Sequence, residues 1–553
     1  VLLKTPLCRL SLTVLACAVV GIVAGCNTPH VGGGGALPAR PASLRAAFED
    51  MPDGAAARVR ILDDNIDAWV ARMNAIEGAT SSIDVQYFIL DPDAYGLALL
   101  GLLAEKARAG VKVRLMIDAR GAFGTIRGGQ RFLLQETQRA GVDVRVYNPI
   151  VFQLADAVSS GDLRRVSASN HDKLIIVDKR LTISGGRNLS QDYMADPRDR
   201  PGAYVDMDAL YEAPAVAEHM TQAFNGEFLA GRTTRLMVEA SGDGRTTLAL
   251  ALTAMRTWMR DEPLSASQLQ RLTDPVEGPA RVQRVATLLE GELIGGLPSV
   301  PSDEVRATIH DVAVTLASQP RLRGALARPV PHMPTDTTEV RLLDTHSVEG
   351  DQPKNTITDN LLKMILAAEK EIVLQSPYFV LTPVALNALE DAGRRGVRIT
   401  VLTNSPVSSD SAPTQAAFLK QWPTFLTRVK TARLFVVAEP RLMHSKVSVI
   451  DGVVSFVGSY NLDPLSAYIN GEVVGVIWGH EHAAPLLKAI RSIVDAGAPR
   501  VAEYTIKRDD YGDAVIVGGE PVVAYGPDDH CTDAQLKAVR AYDGVLDLLA
   551  PLL

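Results

Sequence analysis

Ser169-Asn170-His171-Asp172-Lys173-Leu174-Ile175-Ile176-Val177-Asp178 decides how this chain is read. It is His-x-Lys, four apolar residues, then Asp. The spacing returns as His444-Ser445-Lys446-Val447-Ser448-Val449-Ile450-Asp451. The first copy runs on into Gly185-Gly186-Arg187-Asn188, the second into Gly458-Ser459-Tyr460-Asn461. A single His-x-Lys arises easily by chance; two copies with matched sequels do not.

The flanking pattern is duplicated too. The 3.6 period predicts a helix over 65–77, then a strand over 83–89, a helix over 94–109 stopped by Gly110, and a strand over 111–117. A helix over 132–140 and a strand over 142–147 follow. The second half repeats the order: helix 356–368, strand 372–375, helix 385–395 stopped by Gly396, strand 397–403. Gln86 and Gln375 sit on matching strands. Strands separated by helices of this length indicate α/β layering. Two copies of one unit would pack as a pseudo-symmetric pair.

The spacing predicts side-chain directions. Residues two apart on a strand share a face, so His171 pairs with Lys173 and His444 with Lys446. Asp178 and Asp451 lie five beyond the lysines and face the other way. We read them as turn anchors, although they complete the motif. Asn188 and Asn461 follow glycine turns and return to flank the His-Lys face. Across a twofold axis the site would hold two His, two Lys and two Asn. That inventory suits phosphoryl transfer without a metal or cofactor. One neutral His attacks phosphorus and the other moves the proton. Lysines and asparagines stabilise the non-bridging oxygens. A nucleophilic imidazole must be held in one tautomer, usually by a carboxylate. Asp206 and Glu472 are placed for that in the two copies, with Asp208 the competitor to Asp206. His480 and His482 are too few for a metal site.

These motifs resemble the phospholipase D superfamily, and within it bacterial cardiolipin synthases of the C type. The likeness is carried by the doubled motif, Gly185-Gly186-Arg187-Asn188-Leu189 with Tyr193, Ser376-Pro377-Tyr378-Phe379, and Gly458-Ser459-Tyr460-Asn461-Leu462-Asp463-Pro464 with Asn470 and Glu472. It implies an α/β fold of two pseudo-symmetric phospholipase D-like α/β/α lobes with the active site between them. It also implies a phosphatidyl–histidine intermediate on His171 with His444 as acid/base, an order that near-symmetry leaves open. Phospholipid substrates follow: phosphatidylglycerol, with phosphatidylethanolamine as a second candidate. The chain departs from the family at Asn170-His171-Asp172, where Met-His-Asn or Met-His-Ala is more usual, and in its tail. The expected activity is phosphatidyl transfer. The rivals are a hydrolytic phospholipase D, an endonuclease of the same superfamily and an inactive binding scaffold.

Composition limits these choices. With 56 Lys+Arg against 64 Asp+Glu the chain is acidic, which argues against a nucleic-acid partner. Lys4 and Arg9 precede an apolar run over 10–23 and then Ala24-Gly25-Cys26, the pattern of a secretory signal over 1–25. By resemblance to the bacterial lipobox, Cys26 would carry lipid and Asn27 would direct the protein to the periplasmic face of the outer membrane. Residues 26–58 read as tether, with order beginning near Leu62. Lobes are expected over 59–234 and 338–500, with a helical insertion and Pro-rich connection over 235–337 and a tail over 501–553. The insertion reads as a packed element with its own small core; the alternative is a lid or membrane contact. Cys531 would be the last thiol of the mature chain, so no disulfide is expected.

Overall fold

The computed structural model describes residues 37–127, 130–149, 153, 168–237, 244–261, 278–297, 299, 301–329, 332–346 and 356–544. The expected signal, Cys26 and the start of the tether lie outside them. Among the described residues no helix is long and apolar enough to cross a membrane.

The first lobe is a mixed sheet of β1 (Gly54–Leu62), β2 (Ser82–Tyr87), β3 (Lys112–Asp118), β4 (Asp143–Tyr147), β5 (Lys173–Val177), β6 (Leu181–Gly185), β7 (Asp208–Glu212) and β8 (Thr233–Arg235). Its order is β1-β7-β6-β5-β2-β3-β4-β8. The second lobe has β9 (Thr338–Thr345), β10 (Glu371–Gln375), β11 (Arg398–Asn404), β12 (Ala432–Val437), β13 (Val447–Ile450), β14 (Val454–Gly458), β15 (Glu472–Trp478) and β16 (Val501–Ile506). Its order is β9-β15-β14-β13-β10-β11-β12-β16. The two orders correspond strand for strand. In each lobe the parallel part, β2-β3-β4 or β10-β11-β12, is built by helical crossovers, and the antiparallel part by hairpins.

β1 joins the sheets. Gly54–Ala57 pairs with β9, and Arg58–Leu62 pairs with β7. The outer face of the first sheet packs on helices Asn65–Glu77 and Ala94–Arg108, and that of the second on Thr356–Ala367, Pro383–Arg394 and Ala412–Arg428. Between the sheets lie helices Pro214–Phe228 and His480–Val494, whose buried Phe224, Phe228, Leu486 and Ile490 share one core with both sheets. This gives two α/β/α lobes across a common middle layer. His480 and His482 open the second of these helices.

Three expectations need correction. Order begins well before Leu62. Helix Leu44–Glu49 buries Ala47 and Phe48 in the second-lobe core, and Phe48 lies against Trp478 at 5.1 Å. Two helical turns are too few for a periodic signal, which hid this segment inside the Gly/Pro-rich stretch. Among the described residues the insertion has no separate core. Helix Gly244–Arg260 lies on Ala94–Arg108, its Leu248 carbonyl so close to Gly101 that a Cβ there would sit 2.5 Å from the oxygen. Its Leu248, Met255 and Trp258 join the first-lobe core. Finally, the second sheet continues past residue 500, because β16 pairs with β12 over Val501–Tyr504.

Candidate active site

Each His-x-Lys enters its strand from a segment stitched to the other lobe. The His171 amide donates to the Gly471 carbonyl at 2.9 Å, and the Gly471 amide to the Ser169 carbonyl at 2.9 Å. The pseudo-symmetric contact has the His444 amide donating to the Val205 carbonyl at 2.8 Å. Gly471 precedes Glu472 and Val205 precedes Asp206, so these bridges deliver each carboxylate to the opposite lobe's histidine.

The Nδ1 of His171 lies 3.1 and 3.0 Å from the two carboxylate oxygens of Glu472, and that of His444 lies 2.7 Å from Asp206 Oδ2. The pairs therefore cross between lobes, which spacing within each copy did not reveal. Asp208 is not the partner: its carboxylate is held by Arg72 and Arg187. Glu472 is itself fixed by the hydroxyls of Ser459 at 2.5 Å and Ser466 at 2.6 Å. Asp206 accepts the Met207 amide at 2.7 Å, and a Cβ on Gly186 would stand 2.1 Å from its Oδ1. Glycine at 186 is the space for that carboxylate.

Burial pushes both imidazoles down to about 4, against the pull of Glu472 on His171 and of Asp206 on His444. At neutral pH both rings are uncharged. With Nδ1–H donated to a carboxylate, each presents an Nε2 lone pair, which in His444 faces Lys446 Nζ at 2.9 Å. Although burial favours the protonated carboxyls, His171 holds Glu472 below the usual range and His444 does the same for Asp206.

Lys173 and Lys446 are almost fully buried. Each donates to the backbone carbonyl of its own histidine, at 2.5 and 2.6 Å, and Lys446 Nζ lies 2.8 and 2.9 Å from the two ring nitrogens of His444. Burial, followed by Lys446, brings Lys173 down to about 7, and burial brings Lys446 to about 8. Lys446 also depresses His171, so the two half-sites share one field. Phe88 stands edge-on to His171 at 4.9 Å; Tyr193 does so to His444 at 5.0 Å, its hydroxyl 3.5 Å from Nε2. Tyr204 stacks on His444 at 6.3 Å. Asn188 Oδ1 accepts the Ile89 amide, and the Asn461 backbone amide donates to the Ser466 hydroxyl that also holds Glu472.

The motif aspartates stand apart from the reacting groups. Asp178 accepts the amides of Thr80, Ser81 and Ser82 at 2.9, 2.7 and 2.9 Å. Asp451 accepts those of Glu369, Lys370 and Glu371 at 2.9, 2.8 and 2.9 Å. Both adopt φ of 52°, so each makes the turn and ties it to the strand next door. Though they complete the six-residue motif, Asp178 and Asp451 do not act as catalysts: their carboxylates are committed to backbone N–H groups.

Ser459, Ser466, Phe88 and Tyr204 escaped the sequence reading as site residues: the first three support Glu472 or His171 from within their own lobes, and Tyr204 reaches His444 across the lobe boundary, and nothing in the spacing of the motif marks any of them. Asp172 escaped it too. Gln86 donates one amide nitrogen to Asp172 Oδ2 and Glu227 Oε2, both at 2.9 Å. Burial and then Glu227 push the Asp172 carboxyl well above the usual range. The second lobe has Ser445 and Gln375 at the matching positions, and neither amide atom of Gln375 has a partner among the described residues.

A family profile described as cardiolipin synthase, PLD-like domain, matches residues 73–227 and 361–494. The chain is 26% identical over 457 residues to cardiolipin synthase C of Escherichia coli, covering 79% of this chain and 84% of that one. It is 23% identical over 434 residues to a probable cardiolipin synthase of Bacillus subtilis, covering 78% and 64%. Among solved structures it resembles phosphatidylserine synthase of Haemophilus influenzae, with a TM-score of 0.55 at 12% identity over 92% of this chain and 98% of that one. That likeness speaks for the fold alone.

Proposed function

Starting from a chain that belongs to the PLD-like cardiolipin synthase family, and so to the phosphodiesterases and phosphatidyltransferases of the phospholipase D superfamily, we propose that it joins two glycerophospholipids by phosphatidyl transfer. The crossed His171–Glu472 and His444–Asp206 pairs carry this reading. They hold two neutral imidazoles by Nδ1, one from each lobe, beside two buried ammonium groups.

His171 Nε2 attacks the phosphorus of a bound phosphodiester. The bond to the leaving alcohol breaks, its electron pair goes to that oxygen, and His444 Nε2–H supplies the proton. His444 is neutral in the empty site; the negative phosphate raises its affinity for a proton, and Asp206 stabilises the imidazolium. Lys173 and Lys446 take up charge on the non-bridging oxygens. In the second half-reaction His444 removes the proton of an incoming hydroxyl. That oxygen bonds to phosphorus, and the P–N bond breaks to restore His171. A lipid hydroxyl as acceptor gives cardiolipin or a relative; water gives phosphatidic acid.

The substrates in this reading are phosphatidylglycerol, with phosphatidylethanolamine as a second phosphatidyl donor. Purified protein is incubated with phosphatidylglycerol, with and without phosphatidylethanolamine, and the lipids are resolved by mass spectrometry. Cardiolipin that disappears in His171→Ala and His444→Ala is the expected result. Phosphatidic acid as sole product would replace transfer by hydrolysis, and activity surviving both substitutions would overturn the site. A lipidated Cys26 and an outer-membrane address remain part of the proposal, checked by radiolabelled palmitate incorporation and its loss in Cys26→Ser.

A further inference from the structure

Strands β3 and β11 match, but the loops that leave them bring opposite charges to the two half-sites. Asp118 ends β3 and Asn404 ends β11. The Asp118 carboxylate accepts the amides of Arg120 and Gly121 at 2.8 and 3.0 Å and that of Asn170 at 3.0 Å, which ties its loop to the residue before His171. The Arg120 guanidinium then stands 6.0 Å from the ring centre of Phe88, the neighbour of His171. In the second lobe the Asn404 side-chain amide donates to the Pro377 and Met443 carbonyls at 3.1 and 2.8 Å, which ties its loop to the residue before His444. The Ser405 and Ser408 hydroxyls both donate to the Val437 carbonyl, at 2.7 and 2.9 Å, and the chain they fix carries the exposed Asp410. The Tyr378 hydroxyl donates to Asp410 at 2.8 Å.

Asp410 faces the His444 half-site. Its charge acts on the His444 ring, on Lys446 and on the hydroxyls of Tyr193, Tyr204 and Tyr378. The charges that act most on His171 are instead Glu472 and the two motif lysines. Asp91 adds charge of the same sign at Tyr204, whereas Asp192 accepts Arg200 at 2.9 and 2.6 Å. Among the described residues no lysine or arginine forms an ion pair with Asp410. Tyr193 meets Tyr204 edge-on at 4.8 Å, and both rings lie against His444. A carboxylate with no ion-paired cation, beside aromatic rings, suits a positive charge.

We propose that Asp410, with Tyr378, Tyr193 and Tyr204, holds the ammonium group of an amino-alcohol headgroup as it leaves, and so selects the phosphatidyl donor. The inference rests on the phosphatidyl-transfer reading above and deepens it: that reading names candidate lipids, and this one names the side chain that tells them apart. The leaving oxygen takes its proton from His444 Nε2, which lies 3.5 Å from the Tyr193 hydroxyl. In ethanolamine the nitrogen is two carbons beyond that oxygen, on the side walled by the tyrosines and Asp410. The ammonium donates to the carboxylate and lies against the rings. Glycerol offers a hydroxyl at the same place and gains only a hydrogen bond from a neutral donor. The His171 side, with Arg120 in place of Asp410, repels the ammonium. The headgroup thus has one way to lie in a site otherwise close to twofold symmetric.

A competition between donors reads this choice directly. Vesicles of equal phosphatidylethanolamine and phosphatidylglycerol are incubated with wild type, Asp410→Asn and Asp410→Glu, and the released ethanolamine and glycerol are measured. Hydrolysis and transfer both release the donor's alcohol. A hydrogen bond from a charged donor to the carboxylate outweighs one from a neutral donor by about tenfold in equilibrium. The ratio of ethanolamine to glycerol released should therefore fall about tenfold in Asp410→Asn and return towards wild type in Asp410→Glu. A fall of less than about threefold would overturn the proposal, because a carboxylate that only tunes His444 or Lys446 slows both donors alike. A wild type that releases glycerol alone would overturn it too. A wild type that releases neither alcohol would sink the phospholipid reading, and the subsite is then decided without turnover. Glycerophosphoethanolamine and glycerophosphoglycerol are titrated calorimetrically into His171→Ala and into His171→Ala/Asp410→Asn protein. A preference for the ethanolamine ester that vanishes with Asp410 keeps the subsite; equal binding of the two esters refutes it.

Discussion

Replacing Asp178 by Asn should weaken the fold and spare the chemistry. The carboxylate accepts five hydrogen bonds: the amides of Thr80, Ser81 and Ser82 and the hydroxyls of Thr80 and Ser81. Asn tolerates the left-handed φ of 52° that this turn needs, so the substitution tests hydrogen bonding rather than backbone strain. Its one oxygen can take over the three bonds made by Oδ1. Its amide then faces the Thr80 N–H, which loses its acceptor, and the charge that strengthened the rest is gone. At roughly 0.5–1.5 kcal/mol per bond, and with Thr80 and Ser81 open to water, the loss is about 2 kcal/mol. For a protein of this size that is a few degrees of melting temperature.

The effect should depend on pH. Against the cost of its burial, the Ser82, Ser81 and Thr80 amides hold the Asp178 carboxyl well below the usual range. A depressed carboxylate contributes stability that is present above the unfolded value of about 4 and is lost as pH falls through the folded one. The gap between wild type and Asp178→Asn should thus narrow below about pH 4. Melting curves from pH 3 to 7, with turnover of the folded fraction at 25 °C, decide the matter. A hundredfold fall in turnover with an unmoved melting temperature would refute the scaffold role.

The lysines set a basic limit on activity. Burial brings Lys173 to about 7 and Lys446 to about 8, and both ammonium groups are needed for the phosphate, so kcat/KM should fall as pH rises through 7–8. A profile flat to pH 10 would contradict this. Asp172 works in the opposite sense to Asp178. Burial and Glu227 raise its folded value, so the folded chain keeps a proton that the unfolded chain releases above about pH 4, and stability falls with rising pH. Asp172→Asn cannot titrate and should gain on wild type in melting temperature between pH 4 and 8. A constant difference across that range would show that Asp172 is ionised in the fold.

Much of this architecture was legible because duplication makes a weak signal strong. The strands, the helices stopped by Gly110 and Gly396, and the His-Lys faces all follow from periods of 2 and 3.6 applied twice. The turn role of Asp178 followed from alternation alone. The crossing of the carboxylates did not: Glu472 and Asp206 sit where their own lobe's numbering puts them, but the bridges at Gly471 and Val205 carry them across. Helix Leu44–Glu49 was hidden by brevity, and the insertion's lack of a separate core by the fact that an apolar stripe does not say which surface it covers.

The near-twofold symmetry stops at the two carboxylates, and that break favours one division of labour. Glu472 spreads its charge over two serine hydroxyls as well as both contacts to His171. Such a carboxylate orients a neutral ring but has less charge left for an imidazolium. Among the described residues Asp206 has no serine partner; it makes a single closer contact of 2.7 Å to His444. It is better suited to a ring that alternately gains and loses a proton. Phe88, edge-on to His171, supplies no polar group, whereas the Tyr193 hydroxyl stands 3.5 Å from His444 Nε2, where a leaving or entering oxygen would pass. Orientation without stabilisation suits the nucleophile, and stabilisation with a polar neighbour suits the acid/base. In rapid-quench experiments with His444→Asn the phosphatidyl group should therefore accumulate on His171. A covalent adduct found on His444 in the wild type, with none on His171, would reverse the assignment.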